Sequence, residues 1–268
     1  MIQKKAYTFS MDNPMSRLLA LRPVQAAMRR ADRILLRGMG IGVDGDYHAS
    51  GELGALKYIA AQIGTRAAVV FDVGANVGGY TEEVLRVMPS AVVYAFEPVP
   101  ETFRRLEENQ RIAHAPVHRY NFGFSNVAGK STIFYSPENN GLSSIYDRKY
   151  LKNKITSHQE TIELRTIDAF CEAQHITDID FLKIDTEGGE LVCLQGAAAL
   201  LKEKRIHFIQ FEFGCANVDA RTFFQDFWYL LKDSYRIYRI LPGGLYEIRG
   251  YFDDLEVLRA TNYLAERI

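Results

Sequence analysis

A carboxylate and three glycines lie close together in residues 69–80, where an apolar strand pattern passes into a helical one. Asp72 comes near the end of the strand pattern. The glycines that follow it are Gly74, Gly78 and Gly79. Glycines at such a turn let the backbone approach a ligand closely, and the first amides of the helix can donate hydrogen bonds to it. The turn therefore predicts a site for a nucleotide-like ligand.

The spacing of these glycines argues against a dinucleotide. The pyrophosphate fingerprint G-x-G-x-x-G requires a second glycine where this chain has Asn76. Asp72 is a poor neighbour for a phosphate, whereas it would attract an ammonium or sulfonium group. We therefore expect a positively charged ligand. The residues that we assign to its binding are Asp72, Gly74, Asn76 and Gly78.

A second carboxylate follows the next predicted strand. Residues 91–96 form another apolar run, and Glu97 comes directly after it. An acid in this position can accept hydrogen bonds from both hydroxyls of a ribose. A ribose acceptor combined with a site for a sulfonium group predicts S-adenosylmethionine as the cofactor. Val99 would then cover one face of its adenine, and Asn121 and Gly123, at the end of the predicted third strand, would flank the same ring.

A third carboxylate, Asp185, ends the apolar run at residues 181–184. Ligands of α/β proteins bind at the carboxyl ends of the strands, so Asp185 should project into the same crevice as Asp72. The nearby Glu187 and Glu190 are less informative, because the helix dipole favours acids in a first turn whatever their function.

Alternating strands and helices must position these residues. From residue 69 onward, apolar strand-like runs alternate with helical patterns, which is typical of an α/β protein with a mostly parallel sheet covered on both faces. We predict seven strands, with a terminal antiparallel hairpin at 235–241 and 245–249. We also predict a helix at 189–203, and Asp219 as the N-cap of a further helix at 220–232. Two further strand-like runs flank a polar loop at 137–146, which we interpret as an insertion over the cleft.

The N-terminal part of the chain is locally basic. Between residues 14 and 40 the charged side chains are six arginines and one aspartate, interleaved with apolar residues at helical spacing. We predict an N-terminal helical segment at residues 1–50, followed by the main domain at residues 51–268. Such helices are compatible with a simple cap whose arginines face solvent, with contact to an anionic membrane surface, or with a partner subunit.

Composition excludes several classes of protein. The 268 residues carry a net charge of −1 and are 47% hydrophobic, as expected of a globular chain and with no support for nucleic-acid binding. The three cysteines form no C-x-x-C pair and indicate neither a zinc site nor a disulfide framework. Neither a secretory signal nor a run of roughly 18 apolar residues is present. We therefore expect a cytoplasmic protein, with contact to the inner face of the membrane as an option.

Five blocks of this sequence resemble the FkbM family of S-adenosylmethionine-dependent methyltransferases. They are FDVGANVG at 71–78, FEP at 96–98, GLSS at 141–144, DFLKIDTEG at 180–188 and LQGA at 194–197. The resemblance implies a class I Rossmann-like fold and methyl transfer to a hydroxyl of a sugar, a glycan or a related natural product. It also favours a site role for Ser144, in contact with either the cofactor or the acceptor.

Such an acceptor hydroxyl is a weak nucleophile and needs a base or a metal ion to weaken its bond to the proton. Asp185 is the first candidate, either as the base or as one ligand of a divalent cation. Glu212, at the end of the predicted strand at 206–213, would reach the same rim and could share either role. Carboxylates without a His or Cys cluster suit Mg²⁺ better than zinc. His48 could close over the acceptor and serve as the base.

Two alternatives remain open at this point. One is a class I methyltransferase that acts on protein or on another small molecule. The other is a subunit that binds S-adenosylmethionine without catalysing transfer. An enzyme that methylates nucleic-acid nitrogens is disfavoured, because the block after the fourth predicted strand is Lys-Ile-Asp-Thr-Glu rather than an Asn/Asp-Pro-Pro-aromatic motif.

Overall fold

The computed structural model describes residues 14–43, 45–150 and 158–268, so the predicted N-terminal segment falls outside it at residues 1–13 and 44. The strands of the described part are β1 (Val69–Val73), β2 (Val92–Phe96), β3 (Val117–Tyr120), β4 (Gly123–Phe124), β5 (Gly129–Tyr135), β6 (His158–Arg165), β7 (Ile179–Ile184), β8 (Ile206–Phe213), β9 (Tyr235–Leu241), β10 (Gly244–Ile248) and β11 (Thr261–Arg267).

Helices connect these strands, and three helices precede β1. The α-helices are α1 (Pro14–Leu19), α2 (Arg22–Gly38), α3 (Glu52–Ile63), α4 (Gly79–Val87), α5 (Pro100–Glu107), α6 (Ile167–Ala173), α7 (Glu190–Gln195), α8 (Ala198–Lys202), α9 (Ala216–Ala220) and α10 (Phe224–Leu231). The described residues also include three single turns of 3₁₀-helix, at Gln110–Ile112, Asn140–Leu142 and Asp253–Leu255.

The main sheet has eight strands in the order β10-β9-β11-β8-β7-β1-β2-β3. The pairs from β8 to β3 are parallel, and the pairs from β8 to β10 are antiparallel. Side chains alternate between its two faces. Val70 and Phe181 pack with Leu56 and Val84 of α3 and α4 on one face, and residues of α6, α7 and α10 cover the other. The predicted α/β class, with helices on both faces, is confirmed.

The sheet has one strand more than we predicted. The predicted hairpin is present as β9 and β10, but it is not terminal, because β11 follows it and lies between β8 and β9. The sequence Thr-Asn-Tyr-Leu-Ala-Glu-Arg of β11 contains polar residues at three of its first six positions and does not read as a buried strand. Its first five residues are nevertheless buried. This burial is tolerated because β8 and β9, on either side of β11, satisfy the hydrogen bonds of its backbone.

Two helix predictions are also corrected. Asp219 lies inside α9, and α10 begins four residues later than expected, where the Asp226 carboxylate accepts a hydrogen bond from the Phe223 N–H at 2.8 Å. The helix predicted at 189–203 is divided into α7 and α8 at Gly196. A Cβ at Gly196 would overlap the carbonyl oxygen of Ser125, so the close approach of that loop fixes the break.

The predicted insertion forms a second, smaller sheet with the order β4-β6-β5. Strands β5 and β6 are antiparallel over seven residue pairs. Ile133 of β5 and Ile162 and Leu164 of β6 pack on Val99, just after β2. This apolar contact fixes the small sheet against the edge of the main sheet where β2 ends.

The N-terminal helices α1 and α2 lie apart from both sheets. No residue of α2 is buried, and Asp32 forms an exposed ion pair with Arg259 at 3.4 Å. Among the described residues, none of the helices combines the length and the apolar character that a transmembrane span requires.

Candidate functional site

A cavity opens at the edge of the main sheet where β1, β2 and β7 end, which is the usual ligand position in such sheets. Most of its lining comes from four parts of the chain: the glycine turn at 74–79 after β1, the end of β2, the segment at 185–189 after β7, and the small sheet with its loop. Five of the residues that we assigned to a site from the sequence line this cavity. They are Gly74, Asn76, Glu97, Gly123 and Asp185.

The turn after β1 has a backbone that requires glycine. Gly74 has φ +84°, and a Cβ there would overlap the carbonyl oxygen of Asp185. The Asp185 N–H in turn donates to the carbonyl of Val73 at 2.9 Å. The turn and the block after β7 therefore touch through their backbones, which brings two motifs far apart in sequence to one site. Gly78, with φ +91°, lies against Leu106 and Ile112 and does not line the cavity.

Asn76 presents an acceptor without a partner. Its backbone has φ +51°, and its N–H donates to Glu97 Oε2 at 3.0 Å. Its side-chain Oδ1 is buried and accepts no hydrogen bond within the described part of the chain. Because an unsatisfied buried acceptor is costly, this atom fits a site completed by a ligand that donates a hydrogen bond.

Glu97 lies at the end of β2 and is only 5% exposed. Its other oxygen, Oε1, accepts from the Val99 N–H at 2.9 Å. Burial raises its pKa to about 7, although the N–H groups of Val99 and Asn76 oppose that shift. Each carboxylate oxygen has one further acceptor position. The ionised side chain can therefore accept two hydroxyl hydrogens, as the sequence predicted for a ribose.

The small sheet supplies an apolar wall beside Glu97. Ile133, Ile162 and Leu164 line the cavity together with Phe124 and Pro98. The loop at 137–146 adds Gly141, Ser143 and Ile145 to the same lining. A flat apolar ring such as adenine fits a wall of this kind.

Three residues that we assigned to the cofactor support this wall without lining it. Val99 is fully buried in the cluster behind the wall. The Asn121 side chain donates to the carbonyls of Glu97 and Pro98 at 2.9 and 3.1 Å, which holds the turn after β2. Ser144 Oγ donates to the Glu187 carbonyl at 2.7 Å. Ser144 thereby ties the loop at 137–146 to the block after β7.

Asp72 lies beneath the cavity and not in its lining. It is fully buried, and its Oδ2 accepts from Thr81 Oγ1 at 2.7 Å. Its Oδ1 has no partner within the described part of the chain. Burial raises its pKa, and the positive charge of Lys183 opposes that shift. Asp72 therefore contributes to the site indirectly, through its hydrogen bond with Thr81 and its attraction to the charge of Lys183.

Lys183 is a site residue that the sequence analysis missed. Its ammonium group lies 3.0 Å from Asp185 Oδ2 and 4.7 Å from the centre of the Tyr80 ring. Burial lowers its pKa, but the carboxylates of Asp185, Asp72 and Glu52 outweigh burial and raise it. Lys183 therefore stays charged. The sequence did contain a signal for this pair: side chains two residues apart in a strand face the same side, and Asp185 comes two residues after Lys183, just past the end of β7.

A buried polar network extends from Lys183 to the start of the main domain. Glu52 accepts from Gln210 Nε2 at 2.8 Å and from Ser50 Oγ at 2.7 Å. Tyr80 donates to Gln210 Oε1 at 3.0 Å. Tyr47 packs edge-on against Tyr80 and lines the cavity. Burial raises the pKa of Tyr47 to about 12, so it is a neutral hydrogen-bond donor at the mouth.

The acids that follow Asp185 have structural partners. Glu190 is buried and accepts hydrogen bonds from the N–H groups of Thr186 and Gly188 at 2.9 and 3.0 Å. Glu187 has φ +53° and pairs with Arg148 at 2.5 Å. Both acids therefore shape the loop. Asp185 differs from them, since 40% of its side chain is exposed.

Two catalytic candidates lie outside the cavity lining. His48 is exposed, and its N–H donates to Asp46 Oδ1 at 2.9 Å. Glu212 lies on β8 opposite Asn262 of β11. The Mg²⁺ site that we considered at Asp185 and Glu212 has no support, because the described residues contain no group of three or more His, Cys, Asp or Glu that could hold a metal ion. Asp185 instead pairs with Lys183.

Known proteins resemble this chain both in sequence and in structure. Residues 72–239 match the model of the methyltransferase FkbM domain. The hexuronic acid methyltransferase AglP of Haloferax volcanii is 29% identical over 153 residues, 57% of this chain and 59% of AglP. The 2-O-methyltransferase NoeI of Sinorhizobium fredii is 25% identical over 158 residues, 53% of this chain and 63% of NoeI. The chain thus spans about three fifths of the length of these curated relatives.

Solved structures of methyltransferases also align with most of the chain. The plantazolicin methyltransferase BpumL in complex with SAH covers 93% of this chain and 92% of its own, with 9% identity and a TM-score of 0.44. The N-terminal domain of human METTL16 covers 90% of this chain and 80% of its own, with 14% identity and a TM-score of 0.43. The FkbM model matches more than half of the sequence, and the chain belongs to the FkbM family of methyltransferases.

Proposed function

We propose that this methyltransferase moves a methyl group from S-adenosylmethionine to a hydroxyl oxygen of a sugar, a glycan or a related natural product. The family and the fold imply S-adenosylmethionine as the methyl donor. The transfer to oxygen rests on one observation, the half-exposed Asp185 carboxylate held by Lys183 at the mouth of the cavity. The names of AglP and NoeI, a hexuronic acid methyltransferase and a 2-O-methyltransferase, support the same class of acceptor.

We orient the cofactor in the cavity by matching its groups to the lining residues. Ionised Glu97 would accept hydrogen bonds from the two ribose hydroxyls, and the wall formed by Ile133, Ile162 and Leu164 would cover the adenine. Asn76 Oδ1 would accept a hydrogen bond from the methionine part, at the open side of the glycine turn. When bound, the cofactor supplies a methyl group on a sulfonium sulfur.

Asp185 would orient the acceptor and take up its proton. Methyl transfer is an in-line displacement, so holding the acceptor oxygen in line with the methyl–sulfur bond supplies much of the rate. A carboxylate hydrogen-bonded to the hydroxyl fixes that oxygen and accepts the proton as the new bond forms. Lys183 holds Asp185 through one oxygen, at 3.0 Å. Tyr47, a neutral donor in the same lining, would contact a second acceptor oxygen.

A labelled-methyl transfer assay tests this proposal. The acceptors would be a panel of sugars, uronic acids and oligosaccharides, and the product would be analysed for the atom that carries the label. We expect label on oxygen, and we expect Asp185→Asn to reduce kcat by at least about 100-fold with cofactor affinity changed only a few-fold. Asp233→Asn, at a side chain that is 82% exposed, is the matched control and should retain full activity.

Different results would overturn different parts of the proposal. Label on nitrogen or sulfur would contradict transfer to oxygen. Full turnover by Asp185→Asn would remove Asp185 from its role. Failure of the protein to bind S-adenosylhomocysteine would contradict the assignment of the cofactor site.

A further inference from the structure

The N-terminal helices expose an unusual amount of apolar surface. Eight of the 19 large apolar side chains that are exposed in the described part of the chain fall within residues 15–39. The most exposed are Ile34 and Leu35, at 71% and 68%, and Met15, at 60%. Scattered apolar residues on a surface are ordinary, but a contiguous group marks a contact with another apolar phase.

The exposed large apolar residues of α2 share one face of the helix. Met28, Ala31 and Leu35 recur at intervals of three and four residues, and Ile34 lies beside them. Asp32, which forms the ion pair with Arg259 of the main domain, and the half-buried Leu36 lie on another side of the helix. The structure therefore turns the apolar face outward, opposite to the arrangement expected of a simple cap that packs on the main domain.

The remaining face of α2 is strongly basic. It carries five arginines and one aspartate, and α1 adds Arg17. Arg29, Arg30 and Arg33 surround a shallow surface depression together with Arg259 from the main domain. A whole-chain charge of −1 hides this local excess. The excess is complementary to a surface of negative charge.

We propose that α1 and α2 bind an anionic membrane surface and hold the methyltransferase at it. The apolar face of α2 would enter the boundary between headgroups and acyl chains, with Met15 and Leu18 of α1 beside it. Arg30 and Arg37, which border the apolar face in the helical projection, would pair with lipid phosphates. A second copy of the chain could cover the apolar face, but it would carry the same excess of arginine, and the two positive charges would repel each other. An anionic membrane matches both the apolar face and the arginines that border it.

Co-sedimentation of the full chain with lipid vesicles tests this proposal. We expect binding to vesicles in which about a third of the lipid is phosphatidylglycerol to be at least tenfold stronger than binding to pure phosphatidylcholine, and to weaken as salt rises. Ile34→Glu/Leu35→Glu should reduce binding at least tenfold, through the apolar face. Arg30→Gln/Arg37→Gln should remove most of the preference for anionic lipid.

Matched controls separate these effects from changes elsewhere. Val127→Glu adds a charge at an apolar residue that is 69% exposed on another surface, and it should bind vesicles as the unchanged protein does. All variants should bind S-adenosylhomocysteine normally, which shows that the main domain is folded. Equal binding of the Ile34/Leu35 variant to vesicles would overturn the proposal. A stable dimer that this variant dissociates, without vesicle binding by the unchanged protein, would overturn it in favour of a second copy.

Discussion

The carboxyl group of Glu97 should make cofactor affinity depend on pH near neutrality. Its pKa is about 7 because the side chain is buried, so about one tenth of the protein has it ionised at pH 6 and about nine tenths at pH 8. If only the ionised form accepts both ribose hydroxyls, the apparent affinity falls about tenfold from pH 8 to pH 6. Glu97→Gln cannot ionise, so its affinity should be weaker at pH 8 and nearly constant over this range.

The same group contributes to stability with the opposite dependence on pH. Its pKa rises from 4.5 in the unfolded chain to about 7 in the folded protein, so the stability that its protonated form contributes is fully present below pH 4.5 and is lost as pH rises toward 7. Between pH 5.5 and 8.5 this loss amounts to about 2 kcal/mol of the free energy of unfolding. Glu97→Gln should lack that component, whereas Glu107→Gln, at an exposed position, should keep it.

Two measurements check this reasoning. Calorimetric titration with S-adenosylhomocysteine at pH 6, 7 and 8 reports affinity, and this ligand avoids the charge of the sulfonium. Urea unfolding of the free protein at pH 5.5 and 8.5 reports stability. Comparison with Glu97→Gln subtracts the titration of the other groups. An unchanged pH dependence in this variant, in either measurement, would refute the role that we give to Glu97.

Three further substitutions have defined outcomes. Asp185→Asn should lower the transfer rate far more than cofactor affinity, and parallel losses in both would contradict a role in the reaction. Lys183→Met leaves buried carboxylates without their cation and should destabilise the fold by about 3 kcal/mol in thermal or urea unfolding, while Lys202→Met on the surface should have almost no effect. Gly74→Ala should prevent binding of S-adenosylhomocysteine or unfold the protein, because its Cβ would overlap a backbone carbonyl, whereas Gly129→Ala, with open space around it, should bind normally.

Sequence patterns predicted those features of the structure that depend on the order of strands and helices along the chain. The alternation of strands and helices from residue 69 gave the class of fold, and the acids at strand ends gave Glu97 and Asp185 in one cavity. Both rest on a general rule, the meeting of parallel strands at one edge. The small sheet was foreseen as an insertion, and its apolar residues line that cavity.

Other features depend on contacts between distant residues and were missed. In the sequence, Lys183 is a charged residue in a mostly apolar strand. Its partners Glu52 and Tyr80 come from helices on the same face of the sheet. Nothing in the local pattern of β11 shows that neighbours will cover both its edges. Which face of α2 points outward likewise depends on a few contacts with the main domain. The periodicity of the helix shows only that it has an apolar face and a basic face.

The position of β11 has a consequence for how the chain folds during synthesis. Strands β8 and β9 never bond to each other, since residues 261–267 must lie between them. Until those residues leave the ribosome, one edge of β8 has no permanent neighbour. Its sequence, Ile-His-Phe-Ile-Gln-Phe-Glu-Phe, is of the kind that aggregates when its edge is exposed. We expect the nascent chain to need protection there, and yield in cells to be more sensitive to changes in β11 than its polar sequence indicates.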